Sequence, residues 1–195
     1  MIIAIILSVI AYFIGSISSA ILVCKFFNLP DPRTAGSMNP GTTNVLRIGG
    51  KVPALITLGG DMLKGFLPVL IGHLIGVSGF WLGLVAIAAF LGHIFPVLFN
   101  FQGGKGVAAA LGTFLALSPF AGIIIILSWV LVAIILRYSS LASIVAASLA
   151  PIIMLLFANK GYLLPTLVIA AILIYRHIEN IKRLRAGTES KISFF

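Results

Sequence analysis

VAAALGTFLALSPFAGIIIILSWVLVAIIL, residues 107–136, is a run of thirty residues without a charge and with Pro119 near its centre. At 1.5 Å per residue a single helix of that length would measure about 45 Å, against roughly 30 Å of bilayer hydrocarbon. Two readings are open: one long kinked span, or a short helix, a turn at Ser118-Pro119 and a helix of normal length. The choice sets the parity of every element that follows.

Outward from this run, five more stretches meet the requirement of about 20 mainly apolar residues. They are Met1 to Cys24, closed by Lys25; about Val52 to Ile75; about Phe80 to Phe99; Ser140 to Ala158; and about Gly161 to Ile178. No Lys or Arg precedes the first run, so it is not a typical cleavable signal peptide. The basic residues after it place the N-terminus outside. If residues 107–136 form two elements there are seven spans. Lys25, Arg33, Arg47, Lys51, Lys105, Arg137, Arg176, Lys182, Arg183, Arg185 and Lys191 then lie inside, Lys160 alone outside, and Lys64 within a span. Six spans would divide the loop cations six and six. The inward bias of Lys and Arg selects seven. The expected fold is an all-α integral membrane protein, residues 1–195 as one domain. It has seven transmembrane helices, a short fourth helix, the N-terminus outside and the C-terminus cytoplasmic.

Composition agrees. Of 195 residues, 61% are hydrophobic and 9% charged, and mean hydropathy is +1.21. A soluble globular domain carries about 25% charged residues, so lipid must solvate most of this surface. Thirteen Lys and Arg face four carboxylates, Asp31, Asp61, Glu179 and Glu189. Two-metal and Ca²⁺ sites need more carboxylates than that, and no metal or cofactor is expected. The single Cys24 forms no internal disulfide or Cys-cluster site. A pI near 10.2 is a nucleic-acid signal in a soluble chain; here it reads as cationic loops held on the inner side, with no nucleic-acid partner.

Three polar segments, the first two glycine-bearing, share that inner side. The first runs from Asp31 to Arg47 and holds Arg33, Ser37, Asn39, Thr42, Thr43 and Asn44. Such composition also makes ordinary turns, but donors are dense and acceptor-only groups scarce. That is an anion-binding inventory, and arginine grips phosphate through two parallel bonds. The second is Gln102-Gly-Gly-Lys-Gly-Val-Ala108, opening directly into a helix. Gly103, Gly104 and Gly106 let backbone approach a ligand, Lys105 adds charge, and a helix N-terminus is partially positive. The spacing is not that of a P-loop; a plain tight turn is the alternative. The third, Tyr175 to Arg185, is the last helix leaving the membrane. His177 and Asn180 are three apart on one face, and Glu179 and Arg183 four apart as a pair. Lys182, Arg183 and Arg185 also fit a basic end snorkelling to anionic lipid.

Two intramembrane features stand apart. Asp61 and Lys64 are three apart inside the second span; an unpaired charge there is costly, so they are expected to pair. A structural pair and a substrate role are both open. His93, in Gly92-His93-Ile-Phe-Pro96, either orients the glycine loop or contacts substrate. His73 reads as interfacial on the outer side.

No Asp lies five positions after any histidine, so the His-x₄-Asp acyltransferase dyad is absent. Two aspartates cannot hold the metals of a CDP-alcohol phosphotransferase. What remains is chemistry run by cations and backbone donors on a substrate with a good leaving group, such as an acyl phosphate. Here the chain closely resembles the bacterial acyl-phosphate:glycerol-3-phosphate acyltransferase family, PlsY. The matching residues are Gly36-Ser37-x-Asn39 through Thr43-Asn44-Val45-x-Arg47; Asp61-x-x-Lys64-Gly65; Gly92-His93-x-Phe95-Pro96 with Phe101-x-Gly103-Gly104-Lys105-Gly106-Val107-Ala108; and Tyr175-Arg176-His177-x-Glu179-Asn180-Ile181-x-Arg183-Leu184, then Gly187-x-Glu189-x-Lys191. The likeness spans the chain with its motifs in order. Gln102 departs from it, standing where a basic residue is expected.

The resemblance implies acyl transfer from an acyl phosphate to the 1-hydroxyl of glycerol 3-phosphate. The products are lysophosphatidic acid and inorganic phosphate, the first acylation of phospholipid synthesis at the cytoplasmic face of the bacterial inner membrane. Implied partners are glycerol 3-phosphate, a long-chain acyl phosphate, membrane lipid and an enzyme that produces the acyl phosphate. In this scheme Ser37, Arg47 and Lys105 hold phosphate groups. Asn39, Thr43, Asn44, His93 and the loop glycines Gly103, Gly104 and Gly106 shape the substrate site, and His177 and Asn180 position glycerol 3-phosphate. Either His177 or a substrate phosphate takes the hydroxyl proton. The rivals are an organic-anion transporter, a lipid-binding scaffold and a thioester-dependent acyltransferase. Polar groups gathered at one face, rather than at midplane between repeated halves, favour an interfacial enzyme.

Overall fold

Residues 1–192 are described by the structure, a computed structural model. The decisive run breaks where its proline stands. Ten α-helices form among the described residues: α1 (Ile2–Gly15), α2 (Ser19–Phe26), α3 (Thr42–Gly49), α4 (Lys51–Leu74), α5 (Gly79–Ile94), α6 (Val107–Leu117), α7 (Pro119–Leu136), α8 (Ser139–Phe157), α9 (Leu163–Tyr175) and α10 (Ile178–Arg185). Ser118 between α6 and α7 is extended, and its hydroxyl accepts from the Ala121 N–H. Pro119 takes the first helical position, where a missing N–H costs nothing.

Five elements are long and apolar enough to cross a membrane: Ile2–Phe26, Lys51–Leu74, Gly79–Phe99, Pro119–Leu136 and Ser139–Phe157. The pair Lys160–Tyr175 and Ile178–Arg185, bent by 54°, makes a sixth if taken as one. The seventh crossing expected above would be α6, which has 11 residues, about 16 Å of rise.

Two expected continuous helices are broken. In the first span, α1 ends at Gly15 and α2 restarts at Ser19, with Ser18 capping by accepting from the Ile21 N–H. In the last, α9 stops at Tyr175. The His177 N–H turns to the Ile174 carbonyl, and the Leu173 carbonyl instead meets the His177 ring Nδ1 at 2.8 Å. A side chain inserted into the helical ladder is a recognised cause of a sharp bend.

α5 is the axis of the bundle, with Leu82, Val85, Ala86, Ala89, Phe90 and Ile94 fully buried. α1 lies along it so closely that Gly15 meets the Ala89 backbone and Gly92 the backbone of Tyr12. α4 approaches α6 in the same way, Gly65 on Ala109 and Gly112 on Met62. Lipid supplies no hydrophobic force between helices, so contact through small residues holds them. This places α6 between α4 and α7, short enough that its first turn opens beneath the polar loops.

Candidate functional site

A cavity of about 820 Å³ opens at that end of the bundle and gathers residues from all three polar segments.

The first segment is a coil that feeds α3. Asn44 is 1% exposed, and its amide is fully engaged. Its Oδ1 accepts from the Ser37 N–H at 2.7 Å, and its Nδ2 donates to the Pro32 and Ala35 carbonyls at 2.9 and 3.0 Å. Asn44 thus shapes the loop from behind. Ser37 and Asn39 stand on the cavity wall, and Gly41, Thr42 and Thr43 bring the start of α3 to it. The Thr43 hydroxyl pairs with Ser139 at 3.2 Å. Arg47 reaches over to donate to the Ser190 hydroxyl at 2.8 Å. At the rim, Arg33 is bound bidentately to Asp31 and reaches the Gln102 side chain at 3.5 Å.

In the second segment the glycines do different work. Gly103 is pressed on the backbone of His93 and Ile94; Gly104 faces the His93 ring and the Pro40 carbonyl, and neither lines the cavity. Gly106 does line it, at φ +88 against the Phe90 ring, a conformation that side chains disfavour. Lys105 donates to the Asn180 Oδ1 at 2.5 Å. Burial pushes its ammonium down to about 8; Glu189 pulls upward, while Arg183, Arg176 and Arg47 press downward.

The third segment bends at His177, which is 2% exposed. A carbonyl only accepts, so the contact to Leu173 assigns the proton to Nδ1 and leaves Nε2 as acceptor. Past the bend, Asn180 donates to Glu189 at 2.6 Å, Ser140 donates to the same oxygen at 2.7 Å, and Arg183 binds the other at 2.7 Å. These bonds hold the Glu189 carboxyl below its ordinary value although burial raises it. The expected Glu179–Arg183 pair does not form. Glu179 pairs with Lys182 at the surface at 2.8 Å, because the tail brings the better-buried Glu189 to Arg183. Arg176 ties the bend to the glycine loop, donating to the Gly103 and Gly104 carbonyls at 3.4 and 3.2 Å.

Of the expected site residues, Ser37, Asn39, Thr43, Asn44, Arg47, His93, Lys105, Gly106, His177 and Asn180 meet around one cavity; Gly103 and Gly104 sit behind its wall. Glu189, Ser140, Ser143 and Ser190 also stand at the cavity, outside the residues expected there from the sequence. Scarcity was the one usable signal, since Glu189 is among four carboxylates facing thirteen cations. The other half of the cavity is apolar: Leu58 and Met62 of α4, Val107 and Leu111 of α6, and Ile126, Trp129 and Val130 of α7. Trp129 is pinned by its indole N–H to Ser143 at 3.0 Å, and Val130 is exposed on the apolar flank.

An apolar helical envelope around a cavity lined by both cationic and apolar side chains defines a multi-pass integral membrane protein. Comparison with known proteins makes this specific. The family model "Glycerol-3-phosphate acyltransferase" matches residues 5–187. The glycerol-3-phosphate acyltransferase of Halorhodospira halophila is 54% identical over 189 residues, 96% of each chain. That of Colwellia psychrerythraea is 52% identical over 183 residues, 94% of this chain and 93% of its own. The crystal structure of PlsY, an integral membrane glycerol 3-phosphate acyltransferase, in its glycerol 3-phosphate form superposes with a TM-score of 0.92 at 39% identity, covering 97% of this chain and 96% of that one. Its lysophosphatidic acid form gives 0.88 at 38% identity, covering 96% and 94%. The chain belongs to the glycerol-3-phosphate acyltransferase family, whose context is phospholipid biosynthesis.

Proposed function

We propose that this chain transfers the acyl group of a long-chain acyl phosphate to the 1-hydroxyl of glycerol 3-phosphate, releasing lysophosphatidic acid and inorganic phosphate. The observation that carries this reading is the division of the cavity. Lys105, Arg47 and Arg183 line it beside the polar loops, and apolar residues of α4, α6 and α7 line the rest. A substrate that joins a phosphate directly to an acyl carbonyl fits that division without a nucleotide.

The hydroxyl oxygen attacks the acyl carbonyl, the bond from that carbonyl to the phosphate oxygen breaks, and phosphate leaves carrying the hydroxyl proton. Ser37, Arg47 and Lys105, with the backbone donors at Gly106 and the start of α3, stabilise charge on the leaving phosphate. Asn180 and His177 position glycerol 3-phosphate, and Asn39, Thr43, Asn44 and His93 shape the site. Two routes carry the proton. The free Nε2 of His177 supports a relay through the imidazole; the phosphate oxygens that the substrates themselves carry are the acceptors for direct transfer. Positioning and charge stabilisation supply most of the acceleration in either case.

The topology proposed has seven crossings, with the N-terminus outside, the C-terminus cytoplasmic and α6 as the short fourth. The site then faces the cytoplasm at the bacterial inner membrane. It receives acyl phosphate laterally from the inner leaflet and from an enzyme that makes it.

The test is a donor swap on purified protein in detergent. Glycerol 3-phosphate is held fixed and palmitoyl phosphate, palmitoyl-CoA and palmitoyl carrier protein are offered in turn. Product from palmitoyl phosphate alone, with one phosphate released per acyl transferred, is the expected result. Product only from a thioester would overturn the donor.

A further inference from the structure

On the floor of the cavity lies a polar cluster to which the transfer steps assign no direct part. Asp61 and Lys64 of α4 are 1% and 6% exposed, and His93 of α5 is 6% exposed. The Lys64 ammonium is 2.8 Å from Asp61 Oδ1 and donates to the Ile17 carbonyl at 2.7 Å. That carbonyl lies in the gap between α1 and α2, so the break in the first helix frees the acceptor that Lys64 uses. His93 Nδ1 faces the same Asp61 oxygen at 3.6 Å and has no hydrogen-bond partner.

Stability does not account for this arrangement. Replacing a buried ion pair with apolar groups of similar size is often neutral or stabilising, and intramembrane ionisable groups are by default functional. Geometry supplies the role. His93 meets Gly103 through its own carbonyl and Gly104 through its ring Nε2, and the Pro40 carbonyl of the first segment meets Gly104 at the same point. The His93 side chain thus links Asp61 of α4 to Gly104, the point at which the first segment meets the glycine loop. The next residue along the glycine loop is Lys105.

We propose that Asp61 and His93, with Lys64 as counter-charge, are positioning residues that seat the glycine loop and so fix the Lys105 ammonium against the substrate phosphate. The Asp61 carboxylate faces the imidazole at its Nδ1, the ring backs Gly104, and the His93 carbonyl backs Gly103. The proposal rests on the phosphate-binding role of Lys105 given above, and goes beyond it by assigning the floor.

Three variants test it: His93→Leu, His93→Gln and the double variant Asp61→Asn/Lys64→Met, which leaves no charge unpaired. Each is assayed for glycerol 3-phosphate acylation with the donor on which the unmodified protein is active, and rates are expressed per folded molecule from monodisperse protein. A displacement of about 1 Å costs on the order of 10²-fold in rate. His93→Leu and the double variant should therefore lose about that factor in kcat/KM with unchanged thermal midpoints. His93→Gln, whose amide keeps a donor toward Asp61, should recover part of it. A merely structural role would lower the folded yield and leave kcat and KM per folded molecule untouched. Folded His93→Leu and double-variant proteins with unaltered kcat and KM would overturn the proposal; if His93→Leu does not fold, the other two decide. Failure of palmitoyl phosphate as donor would count against the proposed reaction alone, because the variants are compared on whichever donor works.

Discussion

The floor and the mouth of the cavity both hold charge, on opposite principles. On the floor, Asp61 and Lys64 are almost wholly removed from solvent and each has essentially one opposite charge. At the mouth, Glu189 alone answers Arg183, Asn180 and Ser140, with Lys105 bonded one step further on through Asn180. The floor is neutral and closed. The mouth carries excess cation, and its donors end in groups that an anion can take over. Desolvated charge demands a matched partner; charge at a wet rim can wait for a ligand. Removing one charge of the floor pair should thus cost stability as well as rate, whereas removing a mouth residue should cost rate alone.

The largest effect expected is Asp61→Ala, which strands the Lys64 ammonium. Breaking one side of a buried pair costs about 3–5 kcal/mol, visible as a lower thermal midpoint in detergent. Next comes Lys105→Ala. Loss of one group aimed at developing charge costs about 10²–10³-fold in kcat, and here the midpoint should hold because the glycine loop keeps its contacts to His93 and Arg176. Equal stability losses at the two positions would erase the distinction between floor and mouth.

A third test concerns pH. The Lys105 ammonium sits at about 8, below its ordinary 10.5, because it is buried. As pH rises through 8 the folded protein sheds a proton that the unfolded chain keeps. This group's contribution to folding therefore becomes more favourable between about 8 and 10.5, while its positive charge, the one proposed to hold phosphate, disappears. Activity should fall where stability does not, as an alkaline limb near pH 8 in kcat/KM, the parameter that reports the free enzyme. In Lys105→Arg the limb should vanish, since a guanidinium stays charged. Glu189→Gln should move it lower, because Glu189 is the group that raises Lys105. A limb unmoved in Glu189→Gln would detach the tail from the site.

The smallest effect belongs to the rim. Arg33 and Asp31 form a partly exposed pair with side chains 26% and 36% accessible. Exposed pairs contribute about 0.2–1 kcal/mol, so Arg33→Ala should stay within that range by thermal melt. A larger loss would mean that the Gln102 contact carries the first loop.

Legibility in the sequence followed the range of the interaction. The break at Ser118-Pro119 and the span boundaries were readable to within a few residues, because hydropathy, proline chemistry and loop charge are local. The candidate site was readable as a residue inventory: ten of its twelve positions line one cavity. The bend at His177 was not legible, since it depends on a ring nitrogen taking a carbonyl that an unbroken helix would use. Nor was the pairing of Arg183, where the neighbour expected four residues before it lost to a carboxylate six residues after it.

By itself, then, the sequence determined a lipid-solvated helical protein with three cation-bearing polar segments, two of them glycine-rich, because membrane partition and turn chemistry are sums over neighbouring residues. Only the tertiary structure decided that Gly103 and Gly104 back onto His93 while Gly106 lines the cavity. The same holds for Glu189 returning to anchor Asn180, and for the gap after Gly15 feeding a carbonyl to Lys64. Each of these joins residues far apart in the chain, and which pair meets is settled by how closely small-residue faces let the helices pack.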